Sequence, residues 1–170
     1  MSVVIDTFRP EHAAAFDSLN RAWLTAYDLL EPVDELHLTD PAGAILAHGG
    51  QIFVALEDDV VIGTCGVVPH GPGTFEVVKL TVAPTARGRG IARELVDACL
   101  AYAVQQRARQ VVLVSNSRLQ AALRLYERLG FRYAPMPAAM PYATADVYME
   151  LELAPGLPAA PARPPVRPSA

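Results

Sequence analysis

Residues 77–92 have the sequence VVKLTVAPTARGRGIA, which predicts a strand, a loop that begins at Pro84 and a helix that starts after Gly90. Gly88 and Gly90 allow the backbone to approach an anion closely, because a glycine has no side chain in the way. The first N–H groups of a helix point outward with the positive end of its dipole behind them. Three cationic side chains lie at the same turn: Arg87, Arg89 and Arg93. The stretch therefore predicts a binding site for phosphate.

Two other phosphate-binding motifs do not fit this stretch. A P-loop requires a Lys-Ser or Lys-Thr pair, and the chain contains neither. A dinucleotide-binding fingerprint needs a third small residue at position 93 and an acidic residue about 20 positions further on. Position 93 is an arginine, and residues 105–116 contain no acidic residue. The motif by itself leaves open a basic turn that only connects a strand to a helix.

The composition indicates one globular domain. The chain has 170 residues, of which 52% are hydrophobic, and this length suits one buried core better than two. The net charge of −4 argues against a nucleic-acid surface, and no apolar run approaches the length of a membrane span. No secretory signal is recognised, so a cytoplasmic location is expected. Two cysteines without ligand spacing, Cys65 and Cys99, favour structural roles and no metal site.

The hydrophobic pattern predicts alternating strands and helices. Strands are expected at residues 3–8, 52–56, 60–68, 75–82, 111–114, 131–136 and 144–153. Helices are expected at residues 10–27, 33–38, 90–106 and 117–130, the last opened by a Ser117-x-x-Gln120 capping box. Residues 52–82 form an antiparallel meander in this interpretation, and residues 111–114 form a parallel strand after a right-handed crossover. Residues 154–170 are rich in proline and predict a disordered or polyproline tail.

Two motifs resemble those of one enzyme family. Residues 87–92, RGRGIA, match the Arg/Gln-x-x-Gly-x-Gly/Ala signature of the GNAT N-acetyltransferases. Residues 121–131, AALRLYERLGF, resemble that family's Ala-x-x-Leu-Tyr-x-x-x-Gly-Phe pattern. The resemblance extends over residues 3–153 and has one departure, because Leu119 stands where the family often has asparagine. It implies the α/β (α+β) acyl-CoA N-acyltransferase fold, a mixed central sheet of six to seven strands flanked by about four helices, in a domain of residues 1–153.

The resemblance also implies acetyl-CoA as cosubstrate. In the family the glycine loop takes the pyrophosphate, and the strand before it binds the pantetheine arm. The positions implied for the coenzyme are Leu80, Thr81, Val82, Arg87, Gly88, Arg89, Gly90, Ile91, Ala92, Arg93 and Asn116. For Asn116 a second interpretation stays open, in which it is only a turn residue before the next helix.

Each task in acetyl transfer has a candidate group. Glu76 matches a strand glutamate that is the general base in many relatives, and the Val82 N–H is a candidate donor to the acetyl oxygen. Glu76 precedes Val82 by six residues, so a regular strand is expected to hold both on one side. Tyr126 matches a family tyrosine that protonates the departing thiolate. An ion-paired Glu76 beside Lys79 and a packed core Tyr126 are the alternatives.

The predicted acceptor is a primary amine of a small molecule, attacked directly in a ternary complex. Aromatic and acidic side chains together suit a cation, and those expected around the amine are Trp23, Tyr27, Glu31, Asp34 and Tyr142. The same acids also fit a solvated helix face. A noncatalytic acetyl-CoA sensor and an acetyltransferase for protein N-termini or lysines are the alternative functions. Homodimers occur in the family, and the sequence does not decide that point.

Overall fold

The computed structural model describes residues 2–154, which form a mixed seven-stranded sheet covered by helices on both faces. The strands follow the spatial order β1-β2-β3-β4-β5-β7-β6. Their bounds are β1 Val4–Thr7, β2 Gln51–Glu57, β3 Val60–Pro69, β4 Thr74–Val82, β5 Gln110–Ser115, β6 Arg132–Tyr133 and β7 Val147–Glu152. The helices are α1 Ala13–Ala26, α2 Pro32–Thr39, α3 Pro41–Ala44, α4 Ile91–Gln105 and α5 Gln120–Arg128.

The predicted fold class is confirmed. All seven expected strands are present, β2–β4 form the antiparallel meander, and β5 lies parallel to β4. The short helix α3 was not expected as an element of its own, and Asp40 caps it by accepting a hydrogen bond from Gly43 N at 3.0 Å. The proline-rich tail predicted for residues 154–170 lies outside the described residues, apart from Ala154.

The prediction of a capping box at Ser117 is wrong. Helix α5 begins at Gln120, three residues later than expected. The Ser117 hydroxyl donates to Asp146 Oδ2 at 2.6 Å, and Ser117 N donates to Oδ1 of the same carboxylate at 2.8 Å. Because Asp146 lies 29 residues further along the chain, a tertiary contact has replaced the local cap that the sequence pattern suggested.

Strands β4 and β5 are neighbours over only three residue pairs. Residues 74–76 of β4 pair in parallel with residues 110–112 of β5. Beyond this point β5 continues with β7 up to Ser115, while β4 continues with β3 up to Val82. The two strands therefore splay apart toward their carboxyl ends, and a cleft opens between them.

A bulge in β4 changes which side chains share a face. Lys79 has a φ of +54°, and the register between β3 and β4 shifts at this point. Val77 and Val82 both pack in the core under α4, although an odd spacing puts residues on opposite faces of a regular strand. Glu76, next to Val77, is therefore on the face opposite Val82. The expectation of one shared side is wrong because the bulge inserts an extra residue between them.

Asn20 and Thr64 hold this bulge in place. The Asn20 amide donates to the Thr64 hydroxyl at 3.0 Å, and that hydroxyl donates to Lys79 O at 3.0 Å. Asn20 lies on the buried face of α1 with Phe16 and Leu24. This position brings a polar side chain into the core, where its hydrogen bonds fix the shape of β4.

Candidate active site

A cavity of about 130 Å³ lies where β4 and β5 splay apart. Its walls come from β4, β5, α1, α2, α5 and the loop before β7. Glu76, Lys79 and Tyr126 all line it, although they are spread over 50 positions of the sequence. The topology thus brings together Glu76 and Tyr126, two of the three residues for which a catalytic role was predicted. It also adds Lys79 to the same cavity.

Glu76 is a mostly buried carboxylate in the cavity wall, with 14% of its side chain exposed. Burial raises the pKa of Glu76, and the positive charges of His70 and Lys79 act against this shift. His70 Nδ1 lies 3.4 Å from Glu76 Oε2. A carboxylate whose pKa is raised toward neutrality is a better proton acceptor than an exposed one, which suits a general base.

Tyr126 reaches the same cavity from α5. Its ring packs against Phe131, with 5.8 Å between the ring centroids, and the side chain is buried in the core under α4. Burial raises the pKa of the Tyr126 phenol above its ordinary value, and Cys65 and Cys99 add to the shift. The phenol therefore carries its proton at neutral pH, although the raised pKa makes it a weaker acid. Core packing and a position at the cavity wall are both observed for this residue.

The Val82 N–H points into the opening between the strands. Ala83 N donates to Ile62 O at 2.8 Å, and Thr81 is paired with β3. Backbone groups along an antiparallel edge point alternately toward and away from the partner strand, so those of Val82 point away from β3. Arg87 Nε donates to Val82 O at 3.3 Å, in agreement with this direction. The side chains of Thr81 and Val82 do not line the cavity.

The glycine loop follows β4 at the open end of the cleft. Gly88 and Gly90 have φ values of +78° and +77°, and a Cβ atom at either position would have no other heavy atom within 4 Å. Gly90 is the residue before α4. Among the described residues, no side chain caps the N–H groups at the start of this helix. Open space beside unused N–H groups at a helix start suits an anion. Ile91 is buried in the core, while Ala92 is half-buried.

All three loop arginines have partners within the protein. Arg87 contacts Val82 O, Arg89 forms an ion pair with Glu57, and Arg93 Nε lies 3.8 Å from Asp97. The Arg93–Asp97 pair is largely exposed and therefore weak, and the Arg89–Glu57 pair is partly exposed. Such contacts leave both guanidinium groups near the loop and free to change partner when an anion is present.

Asn116 is a turn residue that also lies at the cavity wall. Its Oδ1 accepts a hydrogen bond from Arg118 N at 2.9 Å, which makes a local turn. Its Nδ2 donates to Thr144 O at 2.8 Å, and the residue also lines the cavity beside Ser115. Asn116 therefore connects the end of β5 to the loop before β7 at the cavity wall. Leu80 lines the same cavity from β4.

The structure divides the predicted acceptor residues into two groups. Trp23, Asp34 and Tyr142 line the cavity. Tyr27 is more than a third exposed and contacts Trp23 outside the cavity wall, with 5.7 Å between the ring centroids. The Glu31 carboxylate accepts hydrogen bonds from Ala143 N, Thr144 N and the Thr144 hydroxyl, so it ties α2 to the loop before β7.

Lys79 is the functional candidate that sequence reasoning missed. Its ammonium pairs with the Asp34 carboxylate, with 6% and 2% of the two side chains exposed. Asp34 Oδ2 also accepts a hydrogen bond from Glu31 N at 2.8 Å. The charge of the carboxylate is therefore balanced by Lys79, and its position is fixed by both contacts. Lys79 is the chain's single lysine and lies inside an apolar strand, and that isolation was the signal available in the sequence.

Comparisons with known proteins identify the family of this chain. The model of the acetyltransferase (GNAT) family matches residues 13–131. The chain belongs to this family.

Among the described residues, no group of three metal-binding side chains is found, and no helix is long and apolar enough to cross a membrane.

Curated relatives from several organisms match parts of the chain. N-acetyltransferase family 8 member 2 of Rattus norvegicus is 28% identical over 115 residues, which cover 65% of this chain and 51% of that protein. Mycothiol acetyltransferase of Geodermatophilus obscurus is 36% identical over 98 residues, which cover 54% and 29%. The chain spans about half the length of the first of these relatives, and less of the second.

Solved structures cover nearly the whole fold. An acetyltransferase of the GNAT family from Staphylococcus aureus Mu50 is 17% identical with a TM-score of 0.81, over 90% of this chain and all of that one. The protein yncA from Salmonella typhimurium, determined with acetyl-CoA as its cofactor, is 21% identical with a TM-score of 0.75, over 95% of this chain and 99% of that one. At these identities the likeness shows the fold.

Proposed function

We propose that this protein transfers the acetyl group of acetyl-CoA to a primary amine of a small molecule, by direct attack in a ternary complex. The observation that carries the proposal is that Glu76 and Tyr126 line one cavity, between two splayed strands. The glycine loop with its open helix start lies at the end of the same cleft. The donor is further supported by the Salmonella typhimurium structure, which contains acetyl-CoA.

The fit of the coenzyme can be judged from the residues present. Gly88 and Gly90 leave open space beside the start of α4, which suits a pyrophosphate. The open edge of β4 offers the backbone groups of Leu80 and Val82 to an extended chain such as pantetheine, in the way that a further strand would be bound. The thioester supplies an activated carbonyl carbon, and every other step is assigned to the protein.

The groups in the cavity account for the proton and the charge at each step. The neutral amine nitrogen forms a bond with the acetyl carbonyl carbon, and Glu76 accepts the proton that this nitrogen loses as the bond forms. The Val82 N–H donates to the carbonyl oxygen as negative charge develops there. The carbon–sulfur bond breaks, and Tyr126 donates its phenolic proton to the departing thiolate. The products are an N-acetylated amine and free coenzyme A.

The acceptor does not follow from the relatives. Their names include a mycothiol acetyltransferase and an N-acetylaspartate synthetase, which by name act on different molecules. The size of the cavity favours a small acceptor, because about 130 Å³ is close to the roughly 150 Å³ of an engineered cavity that takes up benzene. A large folded substrate would reach the carbonyl only through an extended end or side chain.

The proposal is tested by thiol release. Purified protein is incubated with acetyl-CoA and a panel of primary amines, free thiol is measured, and the N-acetylated product is identified by mass spectrometry. Binding of acetyl-CoA is measured separately by calorimetry. Amine-dependent thiol release above background supports the proposal. Coenzyme binding without release for any amine would favour a noncatalytic sensor, and release only with peptides would favour a protein acetyltransferase.

A further inference from the structure

The cavity wall on the acceptor side has a fixed arrangement of charges. Lys79 is its only cationic side chain among the described residues, and Asp34 and Glu76 are its two carboxylates. Asp34 is held by Lys79 and by Glu31 N, whereas the one basic side chain in contact with Glu76 among the described residues is the more exposed His70. One positive and one available negative group therefore line the same small space.

Lys79 has hydrogen-bonding capacity that the described residues do not use. An ammonium carries three N–H donors. One donates to Asp34 Oδ1, and the ring of Tyr142 lies 5.5 Å from Nζ. No further acceptor for Nζ is found within residues 2–154. Because buried donors without acceptors are costly, the remaining N–H groups call for an oxygen atom in the cavity.

Backbone geometry aims this lysine at the cavity. Lys79 is the bulged residue of β4, with a left-handed φ of +54°, and its carbonyl is held by the Thr64 hydroxyl. A bulge redirects the side chain that it carries, and bulges occur often beside active sites. The ammonium therefore lies at a position fixed by two interactions, the hydrogen bond to its carbonyl and the ion pair with Asp34.

We propose that the acceptor is a small α-amino acid, whose carboxylate is bound by Lys79 and whose amine faces Glu76. This inference rests on the proposed acetyl transfer and names its acceptor class. The oxygen that Lys79 needs and the proton that Glu76 takes then belong to neighbouring groups of one molecule. The aliphatic and aromatic walls formed by Trp23, Leu24 and Leu29 face its side chain.

With an α-amino acid as acceptor, every bond and proton in the reaction is accounted for. The amino nitrogen forms a bond with the acetyl carbon, the carbon–sulfur bond breaks, and the proton lost by the nitrogen goes to Glu76 while Tyr126 protonates the thiolate. The α-carboxylate does not react. It only orients the amine, so Lys79 is a residue that determines specificity.

Matched pairs of acceptors test this inference on the wild-type protein. Leucine, phenylalanine, aspartate and lysine are each compared with the amine left when the α-carboxylate is removed: 3-methylbutylamine, 2-phenylethylamine, β-alanine and cadaverine. We expect kcat/KM to be at least about tenfold higher for the amino acid in one or more pairs, the size of one hydrogen bond to a charged group. Ratios below tenfold in all pairs would overturn the acceptor class. Absence of thiol release from every compound would instead overturn acetyl transfer to small amines.

A double variant assigns the preference to Lys79. In Lys79→Met with Asp34→Asn, both charges of the pair are removed, so no carboxylate is left buried alone. We expect the ratio between amino acid and matched amine to fall toward one, mainly through a higher KM for the amino acid. An unchanged ratio in a variant that still binds acetyl-CoA would overturn the role of Lys79. If the variant does not fold, the comparison of matched acceptors on the wild-type protein decides whether the acceptor class is correct.

Discussion

The ammonium of Lys79 on β4 is paired with the carboxylate of Asp34 on α2, and both side chains are almost inaccessible to solvent. The two residues are 45 positions apart in the sequence. Their contact joins the bulge of the central strand to the helical cover of the cavity. It also neutralises the acid that sequence reasoning had assigned to a cationic substrate.

Removing one partner of this pair is expected to destabilise the protein strongly. Lys79→Met leaves the Asp34 carboxylate buried without its counter-charge, which costs about 3–5 kcal/mol in comparable buried pairs. The free energy of unfolding, measured by urea titration, checks this value. The matched control is Lys79→Met with Asp34→Asn, which is expected to lose less than Lys79→Met alone. Equal losses in both variants would show that the ion pair itself contributes little.

Glu76→Gln is expected to lower kcat by about 10²-fold or more, because the proton acceptor is lost. Burial raises the pKa of Glu76, and only the deprotonated form accepts a proton. Wild-type activity should therefore rise with pH through that pKa, and the variant should lack this part of the rise. A pH profile of kcat with one fixed amine measures the difference. Glu11→Gln changes an exposed glutamate and serves as the control; a variant Glu76→Gln as active as this control would rule out the base.

Tyr126→Phe is expected to reduce kcat by about 10²-fold while leaving acetyl-CoA affinity nearly unchanged. The ring and its packing against Phe131 are kept, and only the proton donor is removed. Single-turnover and steady-state rates with acetyl-CoA separate this effect from binding. Tyr133→Phe removes an exposed hydroxyl that donates to Glu127, so it controls for the loss of a phenol elsewhere. Full activity in the Tyr126 variant would leave that residue as a core side chain.

Glu31→Gln is expected to reduce stability in a pH-dependent way. Burial acts to raise the pKa of Glu31, but hydrogen bonds from Thr144 and Ala143 outweigh it, and the pKa is lowered overall. A carboxylate with a lowered folded pKa stabilises the protein above about pH 4.5, its ordinary value, and this contribution disappears as the pH falls below it. Urea unfolding of both proteins from pH 7 downward should therefore show a difference that shrinks in acid. A difference that is constant with pH would contradict this account.

The sequence predicts the fold well because its local signals agree with the tertiary arrangement. The period-two runs of β2–β4 and the glycines around α4 each favour the structure that is observed. The positions of the glycine loop and of Tyr126 follow from motifs at fixed distances from these elements.

The details of the site depend on interactions between distant parts of the chain. The bulge at Lys79 is held by Thr64, and Ser117 is taken by Asp146, which removes the expected cap. Glu31 binds the loop before β7 instead of facing the cavity. No periodicity over a few residues contains these contacts, so the face of Glu76 relative to Val82 could not be obtained from spacing alone.

Calorimetric titration with acetyl-CoA tests the central claim most directly, namely that the glycine loop and the cleft beside it bind the donor. Gly90→Glu puts a carboxylate and a longer side chain where phosphate is expected. Gly71→Glu is a matched control, because Gly71 has a φ of +80° and equally open surroundings in the loop between β3 and β4. We predict that the wild type and Gly71→Glu bind acetyl-CoA alike and that Gly90→Glu loses about 10²-fold or more in affinity. Binding by Gly90→Glu as tight as that of the wild type, or no binding by the wild type, would contradict the account.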